Sequence, residues 1–171
     1  RDIHKASVRD RLLHHALYRV LYPFFDRTFI SDSFSCRTNK GTHKAIARFG
    51  EFAGRVGRNN TRTCWVLKCD VRKFFASIDH SVLFSILRRY IPDKDTLWLL
   101  EGVIVSFQGQ REGVGLPLGN LTSQLFANVY LDELDQYVKH GLRVRRYVRY
   151  MDDFVLLHDD KAHLHSLKDE I

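Results

Sequence analysis

The apolar residues of this chain recur with two periods, and the changes of period divide it into elements. Val8, Leu12, Leu13, Ala16, Leu17, Val20 and Leu21 return at three- and four-residue intervals, the spacing of one helix face turned to a core. Ser7 or Asp10 supplies a cap at the start, and Pro23 sets the stop. After the polar stretch Ser31 to Gly41, a second helix is predicted from Thr42. Ala45, Ile46, Phe49, Phe52 and Ala53 keep its register, and Gly57-Arg58-Asn59-Asn60 closes it. Cys64 to Asp70 is short, apolar and β-prone, which predicts a buried strand. His80 to Tyr90 is helical, with Val82, Leu83, Ile86 and Leu87 on one face, and Asp95 to Phe107 predicts another helix. Glycines crowd positions 109, 113, 115 and 119. A long helix follows from Leu121 to His140, with Leu125, Phe126, Val129, Leu134 and Val138 as its core side. Arg143 to Tyr150 and Phe154 to His158 predict two strands, joined by Met151-Asp152-Asp153 in a tight hairpin. A last helix starts at Lys161 and reaches Ile171 without a stop signal, so the C-terminal end reads as cut and the chain as a fragment.

Composition adds bounds. The 171 residues, 44% hydrophobic and 27% charged, suit a globular domain with a real core. Apolar runs are only a few residues long, too short to cross a bilayer as a helix. Three cysteines (Cys36, Cys64, Cys69), odd in number and without a C-x-x-C pair, exclude a disulfide framework and point to a reducing, cytoplasmic setting. The net charge of +7 is unevenly spread: residues 1–62 carry 13 Lys/Arg against 5 Asp/Glu, and residues 63–171 carry 14 against 15. This predicts a basic, polyanion-holding segment over 1–62 and a near-neutral segment with another task over 63–171.

That second task is written in its carboxylates. Asp152 and Asp153 are adjacent at the tip of an apolar, aromatic hairpin, and Asp70 ends an otherwise apolar strand. Strands tolerate aspartate poorly and adjacent carboxylates repel. A divalent cation resolves the repulsion, and if the strand lies beside the hairpin the three groups converge. Such oxygen donors suit two Mg²⁺, or Mn²⁺, ions that complete their shells with phosphates and water. A plain Asp turn also accounts for residues 152 and 153 taken alone. Other chemistry-bearing types are read as structural. His14-His15 has no spaced partner, Cys69 is a small core residue, and His158, His163 and His165 lack metal-ligand spacing.

Several segments in order carry a resemblance. Tyr150-Met151-Asp152-Asp153-Phe154 resembles the Tyr-x-Asp-Asp hairpin of reverse transcriptases. Leu67-Lys68-Cys69-Asp70-Val71-Arg72-Lys73-Phe74-Phe75, followed by Ser77-Ile78-Asp79-His80, resembles their first catalytic-aspartate motif. Gly115-Leu116-Pro117-Leu118-Gly119-Asn120-Leu121-Thr122-Ser123-Gln124 resembles their template–primer and nucleotide-positioning motif. Arg9-Asp10-Arg11 and Ser33 to Ala45 resemble the basic fingers motifs of bacterial enzymes of the group II intron type. Group II intron relatives usually carry Pro-Gln-Gly and then Ser-Pro in the middle motif. Pro117-Leu118-Gly119 with Ser123-Gln124 is instead similar to the reverse transcriptases of diversity-generating retroelements, whose low-fidelity copying of template adenines diversifies a gene.

The resemblance implies an α+β fold: the fingers and palm of a right-hand polymerase, with an antiparallel palm sheet, helices packed on one face and no thumb. It implies basic helical fingers over 1–62 and a palm over 63–171. Asp70, Asp152 and Asp153 would be catalytic metal ligands, with the Val71 carbonyl completing a site. Phe75 falls five residues after Asp70, where an aromatic gate would exclude a 2′-hydroxyl; core packing is its other reading. Arg11 and Arg1 would meet the triphosphate, with Leu118 and Gly119 beside the nascent pair. Arg37, Lys40 and Lys44 would track template phosphates. Ser123 is read as an N-cap of the long helix near the template–primer, with Gln124 beside it and Tyr150 near the primer end. The implied reaction is primer extension with dNTPs on an RNA template from a DNA or RNA primer, with an accessory protein as a further partner and no membrane. Group II intron and retron enzymes are the alternatives within the class. An RNA-copying RNA polymerase and a catalytically incomplete nucleic-acid-binding domain are those outside it.

Overall fold

The computed structural model describes residues 7–106 and 112–171. Seven α-helices, one π-helical turn and three strands follow one another among them: α1 Val8–Phe25, α2 Thr42–Val56, β1 Trp65–Asp70, α3 Phe74–Ser77, α4 His80–Tyr90, α5 Lys94–Val105, α6 Leu121–Gln136, the π turn Tyr137–Gly141, β2 Tyr147–Tyr150, β3 Asp153–His158 and α7 Lys161–Glu170. The fold is α+β, with one antiparallel sheet ordered β1-β3-β2. Phe107 and Gly109 fall outside the described residues.

The chain forms two compact units: residues 1–28 with 72–130, and residues 29–71 with 131–171. Each therefore takes in part of the basic N-terminal segment. In the first unit Ser7 caps α1, its hydroxyl accepting from the Asp10 amide at 3.2 Å. The helix runs two residues past Pro23, which lies in the last turn and removes one hydrogen bond near an end that frays anyway. Of the apolar residues predicted for its core face, Leu17 and Leu21 are buried, while Val8, Leu12, Leu13 and Val20 are exposed. Phe25 packs edge-on against Tyr90 of α4. Asp79 and Asp93 cap α4 and α5 through their carboxylates. The short α3, entered through Lys73 at φ +53°, has no counterpart in the predicted elements.

The second unit holds the sheet. Tyr147, Phe154 and Leu156 face a core with Val138, Leu164 and Leu167, so the π turn and α7 cover one face. Val148 and Leu157 face the other way, onto Phe34 and onto Ala45, Phe52 and Val56 of α2. Helices thus pack on both faces, not one; on the second face α2 meets the β2 side, while Asp70 and Asp153 stay exposed. The buried strand predicted for Cys64–Asp70 is instead an edge strand from Trp65, with Trp65 and Val66 exposed. The predicted Arg143–Tyr150 strand shrinks to four residues. The residues before it turn back, with Arg143 at φ +58° and the Val144 amide bonded to Val138 O. The long helix also changes character at Tyr137, where Leu142 N bonds Tyr137 O in the π pattern. No helix among the described residues is long and apolar enough to cross a membrane.

Candidate active site

The carboxylates meet at one end of the sheet in the second unit. β1 and β3 pair antiparallel with Asp70 directly opposite Asp153, and Asp153 is in turn opposite Tyr150. Directly opposed residues share a face, so Tyr150, Asp153 and Asp70 form one row on the incompletely covered face. The hairpin turn is one residue shorter than predicted: Met151 and Asp152 make it, and Asp153 already belongs to β3. Met151 takes φ +55°, a conformation that glycine usually supplies in two-residue hairpins. The Val71 amide donates to the Asp152 carbonyl at 3.3 Å, tying the end of β1 to the turn.

Asp70 and Asp153 are exposed and Asp152 is half-exposed. The Lys68 ammonium stands 3.2 Å from Asp153 Oδ1, an exposed pair that contributes little stability. Among the described residues, no three His, Cys, Asp or Glu side chains are grouped as they stand to hold an ion. The donor chemistry nevertheless fits a hard divalent cation: three accessible carboxylates and the Val71 carbonyl lie at one sheet end, and Lys68, the cation described on them, sits in an exposed pair that is readily exchanged.

Behind the turn lies a cluster that pattern reading missed. Arg149, fully buried, gives Asp135 of α6 a forked contact: Nε donates to Oδ1 at 2.8 Å and Oδ2 at 3.0 Å, and Nη2 to Oδ2 at 2.7 Å. Tyr147 donates its hydroxyl to the same carboxylate at 2.7 Å. Burial alone would lower the Arg149 guanidinium, but the Asp135 charge and its hydrogen bonds outweigh this and hold it above its ordinary value. Nη1 reaches the Met151 carbonyl at 3.1 Å. The Arg149 backbone is pinned as well, its amide donating to Asp32 O and its carbonyl accepting from Phe34 N. Asp32 is itself buried between Arg48 Nε at 2.7 Å and Lys139 Nζ at 2.8 Å.

The basic residues predicted for the template are engaged locally. Arg37 Nη1 donates to Ile30 O at 2.6 Å and to Ser33 O and Oγ at 3.1 and 3.0 Å. Lys40 and Lys44 donate to Ser31 O and Asn39 O, each at 2.6 Å. Thr42 Oγ1 donates to the Tyr150 hydroxyl at 3.1 Å. In this unit, then, these cations organise the 29–44 segment, and Tyr150 joins it to the hairpin.

The first unit holds Phe75, Leu118, Gly119, Ser123, Gln124 and Arg11. Phe74 is buried and Phe75 half-buried, their rings 5.5 Å apart and edge-on. The Leu116 amide donates to Phe75 O and the Gly115 amide to Ile78 O, both at 2.8 Å. His80 Nε2 lies 2.6 Å from Gly115 O. The half-exposed aromatic and the Pro117-Leu118-Gly119 stretch are thereby joined by backbone bonds. Leu118 is half-buried; Gly119 takes φ +102°, which a side chain would strain. Ser123 is not an N-cap: α6 starts at Leu121, so Ser123 lies buried in its first turn, and the Gln124 amide closes that turn on Asn120 O. Arg11 is exposed on α1. Arg1 lies outside the described residues.

Comparison with known proteins follows the same lines. The whole chain, residues 1–171, matches the family model described as reverse transcriptase (RNA-dependent DNA polymerase). Protein YkfC of Escherichia coli (strain K12) is 27% identical over 203 residues, covering 96% of this chain and 52% of its own length. Group II intron-encoded protein LtrA of Lactococcus lactis subsp. cremoris is 27% identical over 135 residues, covering 75% of this chain and 21% of its own length. The chain thus spans about half of one of these relatives and a fifth of the other. Among solved structures, apo telomerase from Candida tropicalis truncated from its C-terminal domain superposes with a TM-score of 0.65 at 12% identity, over 91% of this chain and 35% of that one. That likeness is one of fold.

Proposed function

Since the chain belongs to the reverse transcriptase (RNA-dependent DNA polymerase) family, we propose that it is the polymerase core of an enzyme that copies an RNA template into DNA. The primer 3′-hydroxyl attacks the α-phosphate of a dNTP, and pyrophosphate leaves. One observation carries the reading: Asp70 faces Asp153 across the sheet, with Asp152 in the turn bonded to Val71. Asp70, Asp152 and Asp153, with the Val71 carbonyl, would hold two divalent ions, Mg²⁺ or Mn²⁺. When bound, such ions supply charge stabilisation at the attacking and leaving oxygens. The rest of the work is positioning. Phe75 would lie under the sugar and exclude a 2′-hydroxyl, and Gly119 would let the backbone approach the nascent pair. Arg11 and the basic residues within 1–62 would hold triphosphate and template phosphates, opposite in role to the carboxylate segment within 63–171. The three unpaired cysteines suit a cytoplasmic setting.

A finer reading assigns the chain to a diversity-generating retroelement. It rests on Pro117-Leu118-Gly119 with Ser123-Gln124. A branched apolar side chain at position 118 makes none of the hydrogen bonds that a glutamine there would offer. Group II intron-encoded relatives such as LtrA favour an intron-type enzyme as the alternative.

The test is Asp152→Ala in the complete protein. Mg²⁺-dependent cDNA synthesis on a primed RNA should fall about a thousandfold or more, because the charge that stabilises the transition state loses its holder. Synthesis persisting near the parental rate would refute the assignment.

A further inference from the structure

The turn that presents Asp152 is not a self-sufficient hairpin. It has two residues, and the first, Met151, sits at φ +55° without being glycine. Conformations of this kind persist where surrounding structure holds them. Arg149 reaches Met151 from behind: its Nη1 donates to the Met151 carbonyl at 3.1 Å while Nε and Nη2 are forked onto Asp135. A guanidinium is planar, so fixing one edge on Asp135 fixes the direction in which Nη1 points. Asp135 is fixed in turn by the Tyr147 hydroxyl. On the far side of the turn, the Asp152 carbonyl accepts from Val71, the residue after Asp70.

We propose that Arg149 is a positioning residue: through the Met151 carbonyl it sets the turn that carries Asp152 relative to Asp70. Its described bonds run to Asp135 and to the Met151 carbonyl. This rests on the metal-holding role proposed above for those carboxylates. An ion pair kept merely for stability would need no third bond to the turn, and buried pairs are often replaceable by apolar groups at no loss of stability.

Two variants of the complete protein test it. Arg149→Lys keeps the charge but cannot span Asp135 and Met151 O as a plane does. It should lower kcat for primer extension about 10–100-fold, as losing a ligand-orienting partner does, and leave KM for dNTP within about threefold. Amide hydrogen exchange gives a readout independent of activity. Val71 protection should fall about tenfold or more, while Leu156 in mid-sheet keeps its own. The apolar replacement D135L/Y147F/R149M should recover the melting temperature but not kcat or Val71 protection. Parental kcat in either variant, or Val71 and Leu156 protection falling together in R149K, would overturn the proposal and leave Arg149 a stability residue. If the unaltered protein fails to extend a primer with Mg²⁺, the functional reading falls, and the exchange result still decides the role of Arg149.

Discussion

Replacing Asp132 by Asn should stabilise the protein at neutral pH and do nothing at acid pH. Asp132 lies buried on α6 one turn before Asp135, and its ionisation is pushed up from 3.8 to about 6. Burial is the main cause. The Gln136 amide, 3.2 Å away, works against it, Asp135 adds to it, Arg149 opposes it and Glu133 adds a little. A carboxyl whose folded value is raised binds its proton more tightly in the fold than in the open chain. Its favourable contribution is complete below about 3.8 and is lost as pH rises through about 6. The rise of about two pH units, at about 1.4 kcal/mol each, sets a ceiling of about 3 kcal/mol. Relaxation of the surroundings around the ionised group reduces this to about 1–2 kcal/mol. Asparagine keeps an oxygen for Gln136 and never ionises. Thermal unfolding followed by circular dichroism should therefore show D132N melting about 3–6 °C above the parent at pH 7.5. The gap should close through pH 6 and vanish near pH 4. A gap independent of pH, or a variant less stable at pH 7.5, would refute the reasoning and show that Arg149 already neutralises Asp132.

Two further outcomes follow from the first unit. Phe75→Val should admit ribonucleotides, so that the ratio of dNTP to rNTP incorporation in single-nucleotide extension falls about tenfold or more; an unchanged ratio would return Phe75 to the core. Leu118→Gln should lower misincorporation opposite template adenines about 3–10-fold, the worth of one regained hydrogen bond, read by sequencing the cDNA; unchanged error spectra would remove the support for the retroelement type.

The periodicity made most elements legible because their signals are local. The helix at His80–Tyr90 lies where Val82, Leu83, Ile86 and Leu87 place it, and Thr42 opens α2 as predicted. Tyr150-Met151-Asp152-Asp153 announced the hairpin. Apolar spacing does not say whether anything covers the face it marks, so Val8, Leu12 and Val20 on α1 were expected inside and are exposed. The same limit applied to Cys64–Asp70. An apolar run reads as buried, yet β1 lies at the sheet edge, and whether a strand is central or at an edge depends on pairing with β3 some ninety residues away.

The Asp135–Arg149 pair shows why the support behind the hairpin escapes a local reading and which signal marks it. On β2, Tyr147 and Arg149 share one face of the strand, and that face carries Phe154 and Leu156 of β3 to the core. An arginine there must be paired, since burying a lone charge is prohibitive. The partner had to be an acid on a helix side otherwise meant for the core, and Asp132 and Asp135, three apart, interrupt the apolar stripe that runs from Val129 on α6 to Val138 in the π turn. Charges on core positions of two separate elements are each anomalous and together complementary. The same logic explains the placement of the site. The hairpin carries its carboxylates at an exposed sheet end, so the turn gains little from apolar packing on that side. Behind it, the buried Arg149 reaches both Asp135 of α6 and a turn carbonyl, the link on which the proposed positioning role rests.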